Sequence, residues 1–221
     1  MSAGNLKLGV STVLQASWKH GRLDLGAKEL EDWLERYRGE SENFRVVIRR
    51  GLIWCYASQE RYSDALAVAE EALRLTPQFD EQLLTLMASQ IYERQGKWKE
   101  AEDIYKGLLS KYPKLREQRF RMGLCQQRQG KSEQAVAALS AYVDQILELR
   151  GLKPPHLQGF EYDQAAQACY TIGQIREKQG RTREAGEAYA KTVREFAQTS
   201  KEWAPKAKKR LAELWPDETT D

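Results

Sequence analysis

One pattern occurs twice, 34 residues apart, within residues 82–149, and it limits what this chain can fold into more than any other feature. The first copy ends Tyr92-Glu93-Arg94-Gln95-Gly96-Lys97-Trp98-Lys99-Glu100-Ala101-Glu102-Asp103-Ile104-Tyr105. The second ends Gln126-Gln127-Arg128-Gln129-Gly130-Lys131-Ser132-Glu133-Gln134-Ala135-Val136-Ala137-Ala138-Leu139. Gly96 aligns with Gly130, Ala101 with Ala135 and Tyr105 with Leu139. The pattern predicts a helix, a tight turn on glycine, and a second helix whose alanine marks a close crossing. A helix pair of this size has too little apolar surface to fold alone, so recurrence predicts stacking of neighbours.

Weaker copies flank this pair. Upstream, residues 51–77 carry Tyr56, Arg61-Tyr62-Ser63-Asp64-Ala65-Leu66, Ala69, Ala72 and Pro77, with Ala65 lying 36 residues before Ala101. Further upstream, His20-Gly21-Arg22-Leu23-Asp24-Leu25-Gly26-Ala27-Lys28-Glu29-Leu30 is a degenerate copy, with Gly21 at the turn and Gly26 at the crossing. Leu30, Trp33 and Leu34 continue its apolar stripe. Downstream, Ile172-Gly173-Gln174-Ile175-Arg176-Glu177-Lys178-Gln179-Gly180-Arg181-Thr182-Arg183-Glu184-Ala185 repeats the pattern, with Tyr189 in the place of Tyr105. Gly180 follows Gly130 by 50 residues, so this junction carries an insertion. Its Pro154-Pro155 step excludes regular helix, and the helix from Ser132 is read as overrunning to about Leu149. Pro77 and Pro113 close the second helices of their units. Residues 204–214 form a lone amphipathic helix with Pro205 in its first turn, as expected of a cap over the last apolar face.

Together the period, the turn glycines and the crossing alanines resemble the tetratricopeptide-repeat family over residues 7–214, strongly over 46–149 and 166–199 and weakly over 7–40. The resemblance implies an all-α, right-handed superhelical solenoid of about five helix-turn-helix units and a C-terminal capping helix. Its units would span about 7–40, 46–79, 82–115, 116–149 and 166–199, within a single domain of residues 1–221. A loop insertion at 150–163, a capping helix at 202–214 and an acidic tail at 216–221 complete the expected organisation. Three departures stand out: Gly51 falls early in its helix, Glu60 replaces the turn glycine of the second unit, and the insertion breaks the period. Lys201 to Ala207 also resembles the C-terminal portions of bacterial envelope-assembly tetratricopeptide proteins.

Basic and acidic residues nearly balance, 35 against 32, so no whole-molecule field draws the chain to nucleic acid or an anionic membrane. No apolar run approaches the ~18–20 residues that span a bilayer. The N-terminus makes a poor signal peptide, and Cys55, Cys125 and Cys169 have neither disulfide nor zinc spacing. The expected compartment is cytoplasmic, with a periplasmic or other extracytoplasmic setting as the variant if a signal peptide was removed. Histidine occurs only at His20 and His156. His156 near Glu161 and Asp163 could be written as an acid–base set, but no nucleophile or oxyanion donor accompanies it. There is no phosphate loop and no dinucleotide fingerprint, so the expectation is a non-enzyme without cofactor or metal. Arg45, Arg49 and Arg50 read as a solvated helix face, and Lys201, Lys206, Lys208, Lys209 and Arg210 as a cationic helix half that complements its dipole.

In the resembled family the first helices line a concave, peptide-holding surface. Carried over by alignment, that lining would be Arg50 and Trp54, then Leu86, Gln90 and Arg94, then Phe120, Leu124 and Arg128, then Tyr170, Gln174 and Lys178. It forms an apolar ladder beside a basic one, which suits a protein segment mixing apolar anchors with acidic residues. Where chaperone-binding members place a carboxylate clamp of lysine and asparagine, this chain has Arg50, Trp54 and Met87. The expected function is therefore an adaptor or scaffold that holds a partner's peptide segment or helix. The alternative is a structural assembly subunit of a larger or envelope-associated complex, or of a homo-oligomer, acting through convex or end surfaces. In that case the chain's own loop or N-terminus would plug the groove.

Overall fold

The computed structural model describes residues 3–75, 81–150 and 157–215. Expectations for Pro77, the Pro154-Pro155 loop with His156, and the tail from Pro216 lie outside them. The described residues form eleven helices and no strand: α1 (Ala3–Lys19), α2 (Leu23–Arg36), α3 (Glu42–Ser58), α4 (Tyr62–Leu75), α5 (Glu81–Arg94), α6 (Trp98–Lys111), α7 (Arg116–Arg128), α8 (Ser132–Arg150), α9 (Gly159–Lys178), α10 (Thr182–Phe196) and α11 (Trp203–Leu214). The chain is an all-helical solenoid of helix-turn-helix units followed by a lone last helix. It forms two compact units, Met1–Ile104 and Tyr105–Asp221, with the boundary inside α6.

The same turn is built five times. The backbone N–H of Arg22, Arg61, Lys97, Lys131 and Arg181 donates to the carbonyl five residues back, at Ser17, Tyr56, Tyr92, Gln126 and Arg176, over 2.8–2.9 Å. This bond closes a helix end only if the residue before the donor turns left-handed. Gly21, Gly96, Gly130 and Gly180 do so at φ of 64–75°, and Glu60 does so at 59°. The donor is a lysine or arginine in every turn, beside the orphan carbonyls that end the first helix. Four residues further on come Gly26, Ala65, Ala101, Ala135 and Ala185, all buried. A Cβ on Gly26 would lie 2.3 Å from the Ser17 hydroxyl, so only glycine admits this approach of α2 to α1.

In the first unit the core runs from Leu6 and Val10 of α1 through Leu30, Ile48, Leu52 and Ile53 to Leu84 and Ile91. In the second, Phe120, Tyr142, Ile146, Cys169 and Phe196 form one apolar cluster, and α11 packs Ala207 and Leu211 beside Tyr189. The loop expected to reach residue 163 ends at 158. There Glu161 accepts the Gln158 N–H at 2.9 Å and two bonds from Arg116 of α7 at 2.8 and 3.0 Å, which starts α9 early. Arg49 is a second correction. It is 1% exposed and pairs with Glu42 and Glu71, tying α3 to α4 instead of facing solvent.

Candidate functional site

In the first unit, α1, α3 and α5 present their inward positions to one apolar trough. Its middle section encloses about 480 Å³ and is lined by Lys7, Val10, Ser11 and Leu14 of α1, Val47, Arg50 and Trp54 of α3, and Leu83 and Met87 of α5. Lys7, Ser11, Leu14 and Trp18 recur at helical spacing, so α1 offers one continuous wall. Toward one side a cleft of about 320 Å³ is formed by Ser11, Leu14, Gln15, Trp18 and Trp54. Toward the other, Trp54 borders a small recess with Ala57, Met87, Gln90 and Arg94. Trp54 is thus common to all three sections.

The two indoles are 5.6 Å apart between centroids and tilted by 55°, a tilted aromatic pair in mutual contact. Trp18 is 65% exposed, unusual for so large an apolar side chain. Arg94 reaches back to the Ala57 carbonyl at 3.3 Å, which fixes a cation at the trough's far end. Of the alignment-derived lining, Arg50, Trp54, Gln90 and Arg94 meet here, while Leu86 lies half-buried on α5.

The second unit places its share of the lining differently. Leu124 is half-buried, and Arg128, Gln174 and Lys178 are exposed. Phe120 is 4% exposed and lies on the Tyr142 ring, centroids 5.2 Å apart, so it is a core residue and not a lining one. Tyr170 is half-buried between Tyr189 and Trp203, at 5.4 and 5.5 Å. The capping helix therefore occupies the ring that was expected to face a partner. Trp18, at this site's rim, was missed by the alignment because the first repeat is degenerate; the signal was the α1 wall of Lys7, Ser11, Leu14 and Trp18.

The electrostatics of the remaining candidates are structural. Burial pushes the Cys55 thiol up to about 11 and the Cys169 thiol up to about 12, so both stay protonated and unreactive at neutral pH. Glu161 is committed to Arg116 and the start of α9, and Asp163 accepts the Ser200 hydroxyl at 2.6 Å, so neither is poised for acid–base work. Lys206 pairs with Glu202 at 2.7 Å and Arg210 with Glu177 and Glu213, which places part of the C-terminal basic run in ion pairs. Among the described residues no three histidine, cysteine or acidic side chains gather as a metal site, and no helix is long and apolar enough to cross a membrane.

Three tetratricopeptide-repeat family models match the chain, at residues 15–78, at 84–114 and 119–145, and at 166–194. No protein of curated function matches by sequence. Among solved structures, a tetratricopeptide repeat protein from Parabacteroides merdae aligns with TM-score 0.67 and 15% identity, over 96% of this chain and 73% of its own. MamA (41-end) from Desulfovibrio magneticus RS-1 aligns with TM-score 0.65 and 15% identity, over 90% of this chain and 100% of that one. BtubC from P. vanneervenii gives 0.62 and 11%, over 98% and 84%. At these identities the likeness carries the fold alone. The matched repeats lie along most of the sequence and their periods are those of the five turns, and the chain belongs to the tetratricopeptide-repeat family.

Proposed function

We propose that this chain is a non-enzymatic adaptor that holds a peptide segment or helix of a partner protein against its first-helix face. The observation that carries this reading is the trough of the first unit, where exposed Trp18 and half-buried Trp54 border an apolar surface beside Lys7, Arg50 and Arg94. Exposed aromatic and cationic side chains side by side are the usual anchors of protein interfaces. They suit a segment that mixes apolar and acidic residues. Within the second unit, taken by itself, Leu124, Arg128, Gln174 and Lys178 are the proposed contact residues of α7 and α9. Cys55, Cys125 and Cys169 are buried and in no disulfide, which supports a reducing, cytoplasmic setting.

The test is affinity capture from source-cell lysate with wild type and Trp54→Ala/Leu124→Ala/Arg128→Glu, the fold of each checked by circular dichroism. The expected result is a direct partner that binds wild type and is lost by the folded triple variant. Identical captures by both proteins overturn the reading, and the outer faces then become the interface, as an assembly subunit would require.

A further inference from the structure

We infer that the face of α9 and α10 beneath α11 is a docking site for an amphipathic helix of a partner, with α11 as its resident and exchangeable occupant. The site lies wholly within the second unit. It goes beyond the adaptor reading of the first unit's trough and stands or falls separately from it.

The seated helix states what the face recognises. The ring of Trp203 lies 5.5 Å from that of Tyr170, which also meets Tyr189 at 5.4 Å. One turn on, Ala207 is buried, and with Leu211 and Leu214 it packs beside Ala185 and Tyr189. Arg210 grips both oxygens of Glu177, through Nε at 3.0 Å and through a second nitrogen, while the Tyr189 hydroxyl donates to the same carboxylate at 2.9 Å. Such a two-point grip fits the arginine fork and not the point charge of lysine. The matching ligand is a helix with an aromatic residue, an alanine four positions on, an arginine three further, and leucine beside it and one turn after.

Two features make the occupant exchangeable. In α11 the buried residues are the small Ala204 and Ala207, while Trp203, Leu211 and Leu214 keep part of their surface in solvent. By contrast α10 buries Tyr189 and Phe196 completely. A helix held by less buried apolar surface opens at lower free energy than the helix beneath it. The Arg210–Glu177 pair is also open to solvent, with 39% and 25% of the two side chains exposed, so an incoming arginine can take Glu177 as Arg210 leaves. The connection before α11 is pinned where Ser200 donates to Asp163 at 2.6 Å, so the helix swings from a fixed point.

The test is fluorescence anisotropy on the full chain with a labelled peptide of the sequence of residues 200–215, and a scrambled peptide of the same composition as the baseline. Arg210→Ala in the chain weakens the resident helix and leaves the site intact, so it is expected to tighten the peptide about tenfold over wild type. The same substitution made in the peptide is expected to weaken it about tenfold, and Arg210→Lys in the peptide nearly as much. A helix that is only a structural cap gives no such opposition of signs. Binding no better than the scrambled peptide overturns the inference, as does an Arg210→Ala chain, folded by circular dichroism, that binds less well than wild type. Hydrogen exchange on the wild-type chain needs no variant. The amides of α11 are expected to exchange about tenfold or more faster than those of α9 and α10, and equal protection of all three overturns exchangeability. None of these outcomes bears on the trough of the first unit, which lysate capture tests by itself.

Discussion

Glu60 holds a backbone conformation that four glycines hold elsewhere, at φ of 59°. A left-handed residue with a Cβ costs about 1–2 kcal/mol. Glycine would remove that strain but lose more chain entropy on folding, by about 0.5–1 kcal/mol. Glu60→Gly is therefore expected to stabilise the protein by about 0.5–1 kcal/mol, read as a higher urea midpoint at unchanged slope. A lower midpoint would show that the Glu60 side chain contributes more than its backbone costs. Phe120 and Trp54 make a second contrast. Both were placed on the binding face by their register, yet one is core and the other borders an open trough. Phe120→Ala should cost about 3–5 kcal/mol, and Trp54→Ala markedly less. Equal losses would mean that Trp54 is packed as tightly as Phe120. Register was legible in the sequence, but exposure was not. Nothing in the pattern around Phe120 tells that Tyr142 lies against it, nor around Arg49 that Glu42 and Glu71 enclose it.

At the scale of elements, the helices and turns were readable because each turn repeats one chemistry: a left-handed residue, a basic residue, and a small residue four places on. The start of α9 was not readable, because it depends on Arg116 of α7 reaching Glu161, 45 positions away. The hold of α11 is similar. Arg210 bonds Glu177 of α9, which also accepts the Tyr189 hydroxyl at 2.9 Å, so an ion pair reinforces the apolar contact of the last helix. The Arg210 guanidinium, then Tyr189, holds the Glu177 carboxyl below its ordinary value against the opposing effect of burial. A depressed carboxylate adds stability above its unfolded pKa, and that stability disappears as pH falls through the folded value. Glu133 acts alike between α8 and α9, lowered to about 2 chiefly by Arg176 and then by Gln179. The expected outcome is a melting temperature that falls between about pH 4.5 and pH 2, with α11 losing hydrogen-exchange protection first. Glu177→Gln should flatten that acid limb. An unchanged limb would place the acid sensitivity elsewhere.

Across the whole molecule, the sequence suggested an even ladder of apolar anchors, and the described units use theirs unequally. In the second, Phe120 and Tyr170 are taken up by Tyr142, Tyr189 and Trp203. In the first, Trp18 is largely exposed and half-buried Trp54 borders the trough that α1 walls. Repeat proteins keep a common scaffold and vary what each unit exposes, so a period predicts where a site can be but not which unit carries it. The six tryptophans allow this asymmetry to be measured in one experiment. Trp33 donates to Glu29 at 2.7 Å, Trp203 is covered by Tyr170 and Lys206, and Trp215 lies against Gly186, whereas Trp18 is largely exposed. Limiting N-bromosuccinimide should oxidise Trp18 before the others, as mapped by mass spectrometry of peptides. If a tryptophan of the second unit reacts first, the open aromatic surface lies there, and the partner face must be sought on α9 and α11 instead.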